Sequence, residues 1–129
     1  MQVFDSWAGE LSPSSFKEFS LPYLNQIPTR LQELFASTCP PIVIFAKGAH
    51  ESINKLSQSG YSVIGLDWAM DPITSRKKVN EQIILQGNAD PCVLYGSKDT
   101  IRQNVQEMVK QFGMKRWIAN LGHGIYPGN

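Results

Sequence analysis

Near the end of the chain, Gly122-His123-Gly124 follows the apolar run Trp117-Ile118-Ala119. A histidine between two glycines at the carboxyl end of a strand is exposed and reachable by a ligand, because glycine lacks a Cβ and lets the backbone turn sharply beside the ring. Histidine titrates near neutrality, which suits proton transfer and carboxylate binding alike. Other residues able to hydrogen-bond or ionise close the remaining apolar runs: Asp5 and Ser6, Lys47, Asp67, Asn88 with Asp90, and Asn120 ahead of His123. If the runs are parallel strands, these endings converge on one face, where α/β proteins bind ligands.

Each ending also has an ordinary structural reading. Asp67 ahead of Trp68 can cap a loop, Asn88 and Asp90 ahead of Pro91 suit a turn, and Lys47 beside Gly48 suits a surface junction. Trp7, Trp68 and Trp117 read as packing groups more than as stacking platforms. Ser6 is not surrounded by a G-x-S-x-G elbow, so it reads as a hydrogen-bonding hydroxyl and not as a nucleophile. Gly87 stands without the further glycines of a phosphate cradle, which leaves no nucleotide fingerprint. His50 and His123 lack helical i, i+4 spacing, and Cys39 and Cys92 are far apart, so no metal site is expected.

The elements that must position these groups are legible as punctuation. Apolar runs at Gln2 to Asp5, Ile42 to Ala46, Ser62 to Leu66, Ile83 to Gln86 and Trp117 to Ala119 suit buried parallel strands. Ser12-Pro13 and Asp71-Pro72 carry the N-cap and first-turn signature of helices, and Pro22 can open another. That helix would align Leu24, Ile27, Leu31, Leu34 and Phe35, with a kink or break at Pro28. A short helix over His50 to Gln58 buries Ile53 and Leu56 before Gly60. Another over Asp99 to Gln111 lines up Ile101, Val105, Met108, Val109 and Phe112 before Gly113, with a loop or single turn from Asn88 to Ser97. The alternation β-α-β-α-β-α-β-α-β fits an open doubly wound sheet or part of an eight-stranded barrel.

Composition narrows the function. The 129 residues fit one modest domain, and 12 basic against 11 acidic residues give a net charge of +1, which leaves no electrostatic footprint for nucleic acid or an anionic membrane. Arg76-Lys77-Lys78 reads as a solvated helix face. No run approaches a membrane span, the amino terminus lacks signal-peptide character, and two unpaired cysteines favour a reducing, cytoplasmic setting.

Four blocks in order identify a resemblance: Phe4 to Pro13; Gly65-Leu66-Asp67-Trp68 with Asp71-Pro72; Leu85-Gln86-Gly87-Asn88 with Asp90-Pro91; and Ile118 to Pro127. They resemble the uroporphyrinogen decarboxylase family over nearly the whole chain. The resemblance implies an α/β fold made of the carboxyl-terminal five βα strands of a (β/α)8 TIM barrel, so that residues 1–129 form a single, partial domain. It implies removal of carbon dioxide from the four acetate side chains of uroporphyrinogen III, giving coproporphyrinogen III on the route to haem and chlorophyll. It further implies a homodimer that needs no cofactor, in the cytoplasm, or in a plastid where a transit segment precedes this stretch. Two family site positions carry over as substrate-binding groups, Ser6 and His123, and no catalytic residue is assigned.

The family's arginine-rich clamp, pyrrole-binding aspartate and active-site tyrosine have no counterpart here. A last barrel helix is also expected beyond Gly128-Asn129. The expectation is a fragment inactive on its own. Two alternatives stand beside it: a barrel-related corrinoid or thiol methyltransferase, and a non-catalytic remnant docking on the full-length enzyme.

Overall fold

The structure is a computed structural model that describes residues 1–127. The expectation concerning Gly128-Asn129 lies outside the described residues. Five strands, β1 (Gln2–Asp5), β2 (Val43–Ala46), β3 (Val63–Gly65), β4 (Ile84–Ala89) and β5 (Trp117–Leu121), form one parallel sheet in the order β1-β2-β3-β4-β5. The order contains no reversal. A doubly wound sheet needs one, so the sheet is wound in one direction only.

Register explains which face is covered. Ile44, Ile64 and Leu85 are cross-strand partners or near neighbours on one face, and all are at most 2% exposed. They pack with Phe16, Leu21, Leu24, Ile53, Leu56 and Tyr61 from the intervening segments into a single core. The opposite face carries the row Phe4–Phe45–Gly65–Gln86–Ile118. Its outermost members, Phe4 and Ile118, are 65% and 42% exposed. Among the described residues, this face has no helix against it.

The helices follow their caps. Ser12 accepts from the Ser15 amide to start α1 (Pro13–Ser15), Asp71 from the Thr74 amide to start α4 (Pro72–Lys78), and Ser97 from the Thr100 amide to start α5 (Lys98–Phe112). The short α3 (Ile53–Leu56) buries the two residues expected of it. Between Asn88 and Ser97, β4 runs on to Ala89 and a 3₁₀ helix over Pro91–Tyr95 follows, more ordered than a bare loop.

Pro28 corrects an expectation. Helix α2 (Leu21–Phe35) runs through it without a break, and Phe16–Ser20 joins it to α1 as a π-helical turn. A proline there leaves the carbonyl four residues back, Leu24, without its helical donor. The buried Tyr61 hydroxyl donates to that carbonyl at 2.8 Å, so the vacancy is filled from the segment that leads into β3. Two further expectations fail. Leu34 and Phe35, at the end of α2, are 76% and 45% exposed, and Val105, midway along α5, is 47% exposed.

Candidate functional site

The segment after β5 turns back across the ends of the strands. Gly122 donates its amide to the Ala89 carbonyl at 2.7 Å, and a Cβ built there would lie 2.4 Å from the Trp68 amide. Only glycine lets the chain pass so close to the β3 loop. That passage sets His123 among three rings: Trp68 edge-on at 5.8 Å, Phe45 at 6.3 Å and Tyr126 stacked at 6.4 Å.

Beneath this segment lies a cavity of about 540 Å³ on the uncovered face, which Ser6 and His123 both line. Phe4, Phe45, Leu66 and Ile125 make its walls apolar, while Gln2, Ser6, Gln86, Asn120 and His123 supply neutral hydrogen-bonding groups. No Asp, Glu, Lys or Arg lines it. A large, flat, partly apolar ligand with peripheral acceptors fits such a lining, since the few polar groups fix orientation and the apolar ones supply contact area.

Sequence reasoning brought together eight polar residues at strand endings, and the structure divides them. Ser6, Asn120 and His123 reach the cavity. The Asp5 carboxylate turns the other way and accepts from the Ser20 hydroxyl at 2.7 Å. Asp67, 4% exposed, is a scaffold: its carboxylate accepts from the Gly48 amide at 2.8 Å and the Ala69 amide at 2.9 Å, and pairs with His50 Nε2 at 3.1 Å. Asn88 continues that scaffold, donating to the carbonyls of Asp67 and Met70 at 2.8 and 2.7 Å. Asp90 caps the following 3₁₀ helix through the Cys92 amide.

Lys47 lies over the Trp68 ring, 5.6 Å from its centre, and is not among the residues that line the cavity. The inward glutamines Gln2 and Gln86 were not singled out in the sequence. Strand alternation alone could have found them, as polar residues on a face otherwise apolar.

Trp117 is a packing group, stacked on Phe112 at 4.9 Å with its indole N–H on the Gly87 carbonyl at 2.8 Å. Trp7 is 76% exposed and is not packed as expected. Among the described residues, no three His, Cys, Asp or Glu side chains come together in a group able to hold a metal. Cys39 lies at the far end of the strands with Pro40 and Ile42, and Cys92 is exposed in the 3₁₀ helix. No helix among the described residues is long and apolar enough to cross a membrane.

Comparison with known proteins gives this geometry a context. The profile of the family described as uroporphyrinogen decarboxylase (URO-D) matches residues 1–129. The uroporphyrinogen decarboxylase of Danio rerio is 47% identical over 130 residues, covering 98% of this chain and 35% of that protein. The Homo sapiens enzyme is 47% identical over 132 residues and that of Salinibacter ruber 48% over 127, with the same coverage. The chain thus spans about a third of the length of these curated relatives. Among solved structures, a methyltransferase from Methanosarcina mazei superposes with a TM-score of 0.79 at 19% identity, over 98% of this chain and 36% of that one. That likeness is one of fold alone. By its family match and its identity to these relatives, the chain belongs to the uroporphyrinogen decarboxylase family.

Proposed function

We propose that this chain forms the carboxyl-terminal five βα units of a (β/α)8 uroporphyrinogen decarboxylase, with Ser6 and His123 binding carboxylates of the tetrapyrrole. The observation that carries the reading is that these two residues, from opposite ends of the chain, line one cavity at the carboxyl ends of the strands. The singly wound strand order and the helices on one face support the barrel, since a doubly wound protein would cover both faces.

Loss of carbon dioxide from a pyrrole acetate leaves an electron pair that needs a sink. Protonation of the pyrrole beforehand supplies one, and a carboxylate beside the ring N–H groups stabilises the cation. The cavity contains no carboxylate, and Asp67 is occupied by two amides and His50. That acid therefore comes from the rest of the barrel. This chain's part is binding and orientation: a hydroxyl, three side-chain amides and an imidazole around an apolar floor. The complete enzyme is read as a cytoplasmic homodimer that needs no cofactor.

The test is to produce this chain with and without the complementary amino-terminal region of a curated relative, and to measure coproporphyrinogen formation. Turnover is expected from the combination and not from the isolated chain. His123→Asn in the combination should retain part of the activity if the imidazole only hydrogen-bonds. Ordinary rates from the isolated chain would refute the reading as a partial site. A folded combination without turnover would favour a non-catalytic protein that docks on the full-length enzyme.

A further inference from the structure

We infer that Lys47 is a further substrate-binding residue, the cation that answers an acidic ligand in the cavity. The inference rests on the proposed function and deepens it. The cavity itself offers only neutral donors, Gln2, Ser6, Gln86, Asn120 and an imidazole, so binding of a polyacid there lacks a fixed positive charge. Lys47 stands at the carboxyl end of β2, two residues beyond Phe45, which lines the cavity and packs near His123.

Its ammonium lies over the Trp68 ring, and the same ring meets His123 in a T-shaped contact. The indole thus contacts both the lysine ammonium and the histidine ring. Lys47 is half-buried, yet among the described residues no carboxylate forms an ion pair with it. The two acids at neighbouring strand ends are committed elsewhere, Asp5 to Ser20 and Asp67 to Gly48, Ala69 and His50. An ammonium with only a π face for company gains most from an anion that arrives with the ligand. The flexible four-carbon stem lets the charge swing from the indole toward that anion.

Uroporphyrin I, the stable oxidised octacarboxylate, is the probe, and its octamethyl ester is the uncharged control. Titration of the assembled protein by porphyrin fluorescence should show the acid binding and the ester binding poorly. Lys47→Met should weaken the acid roughly tenfold, as expected for one lost charge-assisted contact, and should leave the ester unchanged. Lys47→Arg should restore most of the affinity. Raising the salt should bring wild type and Lys47→Met together, because the lost contact is electrostatic.

If Lys47→Met binds the acid as wild type does while Ser6→Ala and His123→Asn weaken it, the role of Lys47 is refuted and the proposed site stands. If the wild-type assembly binds neither porphyrin, both are overturned. Circular dichroism and thermal unfolding of Lys47→Met should match wild type; a general loss of structure would instead assign Lys47 to the scaffold and refute the binding role.

Discussion

A single carboxylate illustrates how a residue can sit at a strand end without joining the site. Asp67 reads in sequence equally well as a loop cap or a ligand contact, because both need a short acid after a strand. The structure resolves the choice by distance: three donors, two of them backbone amides, surround it, and it is almost wholly buried. Asp67→Ala strands the Gly48 and Ala69 amides together, and should cost about 2–4 kcal/mol, on the usual penalty for orphaned buried donors. Urea unfolding of the assembled protein checks this, and a loss below about 0.5 kcal/mol would show that water replaces the carboxylate without cost. The same residue ties the β2 loop to the β3 loop, so the variant should also weaken porphyrin binding, through displacement of Trp68 from His123. That Ser6 and His123 share a cavity was legible because a hydroxyl and an imidazole at strand ends keep their hydrogen-bonding character wherever they occur. The directions of Asp5 and Asn88 were not, since a polar side chain at a strand end can turn toward the scaffold as readily as toward the cavity, whereas Asp90 caps the turn its sequence suggests.

Among the elements, the first three strands were read to within a residue, because continuous β-branched runs between capping signals leave little freedom, while β4 and β5 run on three and two residues past the runs read for them. Pro28 was misread for a reason that lies far off in sequence. The break expected of a proline is a missing donor, and Tyr61, 33 residues on, supplies it, which no local pattern records. Burial of that phenol pushes its pKa from 10.0 up to about 12. The unfolded chain therefore releases this proton first as the pH rises. The stability held by Tyr61 is complete below pH 10 and is lost as pH climbs through about 12. Tyr61→Phe should lower stability at neutral pH by about 1–2 kcal/mol, the cost of a stranded carbonyl, and should flatten this alkaline decline. Restoring the helical amide with Pro28→Ala should reduce the cost of Tyr61→Phe. Additive effects in that double-mutant cycle would mean that the hydroxyl does not stand in for the missing N–H.

At the scale of the whole molecule, the question is what covers the sheet. Strand runs with helices between them do not reveal strand order, so composition could not separate a doubly wound sheet from a segment of barrel. The sequential order and the one-sided core argue against a doubly wound sheet and support the proposed barrel. They leave β1 and β5 as unpaired edges, with the row from Phe4 to Ile118 open to solvent at both ends. Edges and apolar faces of this kind associate unless something pairs or covers them. In the proposed barrel, the remaining strands do so, and Ile118 points into the closed interior. Ile118→Glu therefore has opposite effects in two settings. Alone, the chain should gain soluble yield and lose binding of a hydrophobic dye, because a carboxylate interrupts the sticky row. Combined with the complementary region, it should assemble poorly, because closure would bury an unpaired charge. Sedimentation of both preparations reads the two effects together. An Ile118→Glu chain that assembles as well as wild type would mean that this face remains in contact with water in the complete protein, and that the sheet does not close into a barrel around it.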